Sequence, residues 1–413
     1  MVNMLHHFRN NPSIVMWSVG NEVPTQCDPQ GYRVAKMLQD ICVREDGTRP
    51  VTAGMDQVSC VLENGFASIL QVVGLNYRPH RYEEAYRRTP QRLVLGSETA
   101  STVSSRGIYL LPALPDNTET ITNIDHPGSN SRTNQSSSYD LQYCPWSNLP
   151  DDDFRNMDDY PWTIGQFVWT GFDYLGEPSP YDTDAWPSHS SYFGIIDLAG
   201  IPKDRYYLYR AQWNTRDHTT HLLPHWNWHA GDTVPVMAYT DADEGELFLN
   251  GISLGKRTKL TREQAQAAAA KGDPLALQRR YRLIWDSIPW QAGELRIVTP
   301  YGEDIRRTAG KPHHIEMYLE PLTNAADNTL HFVRVRVCDA DGNLCPDADH
   351  LIRFATRGTG RFRAAANGDA ANLDLFHFPQ HHAFSGELTA IIEGSCTLTA
   401  TAKGLKSAKL IID

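Results

Sequence analysis

Two glutamates, Glu22 and Glu98, stand where a chain can place reactive carboxylates. Each closes a short apolar run that predicts a buried parallel strand. Ile14-Val15-Met16-Trp17 leads through Ser18-Val19-Gly20 to Asn21-Glu22, and Leu93-Val94-Leu95 leads through Gly96-Ser97 to Glu98. The carboxyl ends of parallel strands are where barrel enzymes keep their catalytic groups. A carboxyl pair so placed can break a glycosidic bond, one member protonating the leaving oxygen while the other attacks the anomeric carbon. Asn21 sets an amide beside the first carboxylate, suited to holding a sugar hydroxyl.

The elements that must hold this pair alternate along residues 1–213, a pattern of α/β architecture. Strands are expected at 14–17, 50–53, 70–77, 93–96 and 164–170. Tyr32–Arg44 reads as a helix with Val34, Leu38 and Ile41 on one face and Gly47 as its stop. Shorter helices are expected at Tyr82–Arg88 and over 203–213. Residues 101–160 are dense in Ser, Asn, Asp and Pro, and so long a loop in a compact domain marks a functional or mobile segment. From residue 216 short β runs take over. Asn250-Gly251 carries the type I′ hairpin signal, and Thr261 with Gln264 has capping-box spacing at the head of a helical insertion within 258–280. A further β unit follows from 312, where Val333, Val335 and Val337 alternate with Arg334 and Arg336 as a strand with one solvated face. The division expected is an α/β catalytic domain over 1–215 and two β-sandwich domains over 216–311 and 312–413.

Composition narrows the partners. Lys plus Arg number 38 against 49 Asp plus Glu, a formal charge of −11 over 413 residues, which disfavours nucleic acid and anionic membranes and suits a neutral ligand. The seven cysteines show no CxxC or zinc spacing, and no disulfide framework is expected; Cys338 and Cys345, flanking a turn, read as free small hydrophobes. His221, His225 and His229, and the pairs His313-His314 and His381-His382, have no carboxylate at ligand spacing, so neither a metal nor a cofactor is expected. There is no transmembrane run, and residues 1–9 lack the continuous apolar core of a signal peptide. The compartment stays open: periplasmic or secreted if the full-length protein carries a signal, otherwise cytoplasmic.

The run from Arg9-Asn10-Asn11-Pro12 through Trp17 to Asn21-Glu22 resembles the acid/base signature of glycoside hydrolase family 2, whose members include β-galactosidases, β-glucuronidases and β-mannosidases. Gly96-Ser97-Glu98-Thr99-Ala100-Ser101 resembles the nucleophile segment of the same family. Gly165 through Pro178 resembles its last barrel strand, most closely in a bacterial β-galactosidase branch. The likeness continues through His221–Trp228, Glu246–Gly251, Ala366–Asp369 and His382–Gly386, which match the β module and the C-terminal Ig-like domain of that branch.

This resemblance implies retaining hydrolysis of terminal β-galactosides. Glu98 would be the nucleophile and Glu22 the acid/base, in a desolvated site that delivers Glu22 protonated, with the carboxyls about 5–5.5 Å apart. It implies that the Tyr77 hydroxyl touches the nucleophile, that Trp169 floors the sugar site, and that Asp173 and Glu177 bind sugar hydroxyls or shape their loop. In this family the acid/base ends barrel strand four and the nucleophile strand seven. The five strands then correspond to strands four to eight of a partial (β/α)8 TIM barrel lacking its first three, followed by two Ig-like β-sandwich domains. The N-terminal half, or a homo-oligomer, is the expected partner besides an oligosaccharide or β-galactoside substrate, and activity without that half is expected to be impaired. The alternatives are a β-glucuronidase or other family 2 specificity, and an inactive carbohydrate-binding or scaffold fragment.

Overall fold

Five short strands organise the first part of the molecule. The computed structural model describes residues 1–117, 134–181, 185–321 and 329–413. They fall into two units, residues 1–102 with 143–169, and 103–142 with 170–413.

In the first unit β1 (Trp17–Asn21), β2 (Val51–Met55), β3 (Val73–Asn76), β4 (Val94–Ala100) and β5 (Thr163–Trp169) form one parallel sheet in that order. Period-two alternation sends Ala53, Met55, Val73, Leu75 and Val94 into a core with Val58, Val61, Phe66 and Tyr82 from the connecting helices. The opposite face carries Thr52, Gly54, Gly74, Asn76 and Ser97, small or polar groups that meet one another. All five expected strands are present, but β1 starts at Trp17 rather than Ile14, because Pro12 and Ser13 turn the chain and the Ile14 amide bonds back to the Asn11 carbonyl at 3.3 Å. β4 runs on to Ala100, so Glu98 lies within it.

Two expectations for this unit need correction. The helix Tyr32–Glu45 forms, yet Val34 is exposed and the buried stripe is Ala35, Gln39 and Cys42. Gln39 sets this phase: its amide donates to the Ile69 carbonyl at 2.6 Å and accepts from the Gln71 amide at 2.9 Å, contacts that hydrophobic periodicity does not register. No disulfide framework is expected, yet Cys27 and Cys60 form a disulfide that ties the segment after Glu22 to the helix Val58–Glu63. Cys338 and Cys345 are free and buried, as expected.

Of the long Ser/Asn/Asp/Pro-rich stretch, residues 118–133 lie outside the described ones. Its end is not a loop: Pro150–Asp159 is a helix with Pro at its first position and Asp151, Asp152 and Asp153 in its first turn. Those are N-terminal signals, since proline lacks the N–H that the first turn cannot use and carboxylates complement the helix dipole.

The second unit is built from antiparallel sheets. Strands 252–258, 244–249, 294–299 and 302–307 form one, and 283–289, 233–240 and 220–223 another. Asn250 and Gly251 both have positive φ, as the type I′ turn requires, and Thr261 with Gln264 completes a capping box at the head of Arg262–Ala270. Further on, strands 314–319, 330–338, 387–393 and 361–366 make one sheet, and 380–382, 351–358, 396–401 and 408–412 another. Val333, Val335, Val337, Leu388 and Ile392 of the first pack against Ile352, Phe354, Leu398 and Ile412 of the second. The face expected to be solvated is only partly so: Arg334 is buried, its guanidinium 2.9 Å from Glu320.

Asp173 and Lys203, both buried, form an ion pair at 2.6 Å inside this unit. The Lys203 ammonium also donates to the Ser104 carbonyl at 2.7 Å, and the Gly194 amide donates to the other Asp173 oxygen at 2.7 Å. Replacing Lys203 by Met strands a buried carboxylate, so the variant is expected to lose about 3–5 kcal/mol of stability, read as a lower urea midpoint. A midpoint equal to the parent's would show that the pair holds nothing together.

Candidate active site

The first unit brings five polar side chains, Asn21, Glu22, Asn76, Ser97 and Glu98, to the carboxyl ends of β1, β3 and β4. Glu22 follows β1 directly; its backbone takes a left-handed φ of 46°, and its amide bonds to the Gly54 carbonyl at 2.9 Å. Asn76 ends β3, paired in register with Glu98. It is fully buried, and its side-chain amide faces three acceptors: Asn21 Oδ1 at 2.9 Å, Glu22 Oε1 at 2.9 Å and Glu98 Oε2 at 3.5 Å. Ser97 Oγ donates to Asn76 Oδ1 at 2.8 Å, which turns the Asn76 nitrogen toward the carboxylates.

Room for this arrangement comes from glycine. A Cβ on Gly54 would lie 2.3 Å from Asn21 Oδ1 and 2.7 Å from Asn76 Oδ1, so any larger residue would push both amides out of place.

The Tyr77 hydroxyl donates to Glu98 Oε1 at 2.5 Å and meets Ser101 Oγ at 2.7 Å. Burial, followed by the facing Glu98 charge, holds this phenol far above its ordinary range, so it stays protonated and can only donate to the carboxylate. Tyr77, Ala100 and Ser101 all carry positive φ, and the Tyr77 amide bonds to the Glu98 carbonyl at 2.7 Å. Trp146, from the segment before the helix Pro150–Asp159, sets its ring edge-on to Tyr77 with centroids 4.9 Å apart.

The structure thus gathers Asn21, Glu22, Tyr77 and Glu98. Trp169 ends β5 opposite Ala100 and is 37 % exposed. Asp173 falls in the second unit with its carboxylate committed to Lys203 and Gly194, so it is not carried forward as a sugar ligand. Glu22 is exposed, and the described residues of its unit do not supply the desolvation expected around it. Among the described residues no group of three His, Cys, Asp or Glu side chains could hold a metal ion. Sequence reasoning passed over Asn76, although it directly precedes Tyr77 at a strand end; the signal was its level in the sheet, which pattern alone does not reveal. Trp146 had no local signal at all.

Residues 1–112 match the TIM barrel domain of glycosyl hydrolases family 2, and 320–411 match glycoside hydrolase family 2 C-terminal domain 5. The chain belongs to glycoside hydrolase family 2. Residues 231–304 match a domain of unknown function. A β-galactosidase of Bacteroides ovatus is 34 % identical over 98 % of this chain and 50 % of its own length. A putative β-glucuronidase of Formosa agariphila is 28 % identical over 87 % of this chain and 34 % of its own. Among solved structures, a β-glycosidase from Bacteroides vulgatus aligns at TM-score 0.79 and 26 % identity, covering 100 % of this chain and 52 % of that one. The chain therefore spans about half the length of the β-galactosidase and the β-glycosidase it resembles.

Proposed function

We propose that the chain carries the catalytic pair of a retaining β-galactosidase acting by double displacement. Glu98 attacks the anomeric carbon as Glu22 gives its proton to the departing glycosidic oxygen. Glu22 then takes a proton from water, and that water displaces the sugar from Glu98, regenerating both groups. One observation carries the reading: a single Asn76 nitrogen lies 2.9 Å from a Glu22 oxygen and 3.5 Å from a Glu98 oxygen. Sharing one donor keeps the two carboxyl groups close enough to act on a single glycosidic bond. Tyr77 orients the nucleophile, Asn21 offers its amide nitrogen to a sugar hydroxyl, and Trp169 supplies an apolar platform.

On this reading the five strands are strands four to eight of a (β/α)8 barrel, and Ig-like sandwich domains occupy 216–311 and 312–413. Val15 beside β1, and Ile164 and Phe167 on β5, are exposed at the two edges of the sheet. A polypeptide supplying three further parallel strands would cover them, and full activity is expected only once it does. Nitrophenyl β-galactoside should be cleaved faster than the β-glucuronide, with β-galactose as the first anomer seen by NMR; initial release of α-galactose would overturn the mechanism. Faster cleavage of the glucuronide would favour the second reading, β-glucuronidase specificity, which rests on relatives bearing that name.

A further inference from the structure

A cavity of about 690 Å³ opens in the first unit between the segment after Tyr77 and the segment that leads into the helix Pro150–Asp159. It is lined by Arg78, His80, Arg81, Trp146, Asp152 and Arg155 among others. Trp146 connects it to the chemistry, since its ring touches Tyr77 and the Tyr77 hydroxyl bonds to Glu98. The lining carries three guanidinium groups against one carboxylate, a cationic basin in a chain whose net charge is −11.

Two of those cations are committed. Arg81 pairs with Glu84 at 2.6 Å, and Arg155 pairs with Asp152 at 3.3 Å. Arg78 differs: among the described residues it has no carboxylate partner, and its guanidinium makes one hydrogen bond, to the Trp146 carbonyl. Its remaining donors form a planar fork of the shape that takes a carboxylate through two parallel bonds. The backbone is bent to put it there. Tyr77 and Arg78 are consecutive non-glycine residues at φ 54° and 55°, fixed by the Tyr77 amide on the Glu98 carbonyl and the Arg81 amide on the Arg78 carbonyl at 2.8 Å. Such conformations persist where the surroundings enforce them, and they cluster at ligand clamps. Burial holds His80 below its ordinary range, so the charge in this basin belongs to the arginines.

We infer that Arg78 and Trp146 form a subsite for a carboxylate-bearing saccharide, the guanidinium taking the carboxylate and the indole the pyranose face. The inference rests on the catalytic reading of Glu22 and Glu98. It deepens that reading, because a neutral galactoside alone would leave this fork unused. The acidic group sits either on the sugar being released or on the unit that leaves, and binding of the chain itself separates these. Calorimetry would compare methyl β-glucuronide with methyl β-glucoside for the first source, and a β-galactosyl-glucuronate disaccharide with lactose for the second. The acidic member of one pair is expected to bind about 10- to 100-fold more tightly than its neutral counterpart. In Arg78→Gln that preference should vanish while neutral affinity holds, and Arg78→Lys should keep part of it. Equal weakening of acidic and neutral ligands in Arg78→Gln would mean that the arginine merely pins the Trp146 segment. Absence of preference in the parent protein would also overturn the subsite. A chain that prefers the acid yet never hydrolyses either glycoside keeps the subsite and loses the catalytic reading.

Discussion

Glu98→Gln is expected to lower turnover of an activated β-galactoside on the order of 10⁴-fold or more, with the unfolding midpoint unchanged. The substitution keeps the shape and one carbonyl oxygen, so the Tyr77 hydroxyl still finds an acceptor where Glu98 Oε1 stood. What it removes is the anionic oxygen that must bond to the anomeric carbon. Truncating the side chain further, to Gly, opens the same position to an added nucleophile. Azide should then restore reaction and yield the α-glycosyl azide, because it attacks from the face that Glu98 occupied. With Glu22→Ala the covalent intermediate still forms on substrates with good leaving groups, and azide should give the β product instead. Opposite azide stereochemistry from the two variants would assign both roles at once. Near-normal rates in Glu98→Gln, in a preparation where the parent is active, would end the assignment.

Asn76→Leu should cost the next most, about 10²- to 10³-fold in kcat/KM, the range seen when one positioned donor is removed from an electrostatic site. Leu fills a similar volume at a buried position, so packing survives while Asn21, Glu22 and Glu98 lose the nitrogen they share. The two carboxylates then lose the donor that held them to each other, although Tyr77 still holds Glu98, and the approach of substrate finds them misaligned. Because Ser97 also loses its acceptor on Asn76, a modest fall in melting temperature is expected as well. The decisive comparison is rate against stability. If the rate falls less than threefold, the amide organises nothing that the reaction needs.

Much of this site was readable in the chain. Glu22, Glu98 and Tyr77 sit at the ends of β-branched or aliphatic runs, and strand periodicity fixes which end of a parallel sheet they reach. The five strands were legible for the same reason, although the start of β1 depended on a turn at Pro12-Ser13 that the apolar run concealed. Contacts between distant segments were hidden. Nothing near Asn76 in sequence announces that Asn21 and Glu22 lie against it, and the Cys27–Cys60 link joins segments with no spacing signature. For Asp173 the sequence left two roles open, binding sugar hydroxyls or shaping its loop, and the contacts with distant Lys203 and the Gly194 amide that favour the second are invisible in its local context. Local pattern reports which face a residue takes; it does not report whom that face meets.

The left-handed residues around the carboxylates carry a cost for anyone seeking a hardier protein. Glu22, Tyr77, Arg78, Ala100 and Ser101 each hold a backbone shape that glycine or asparagine adopts with less strain. Selection for heat resistance alone would therefore drift toward those replacements at Arg78 and Ala100, and would soften the framework that aims the glutamates. A screen that scored survival without catalysis would reward its own failures at these positions.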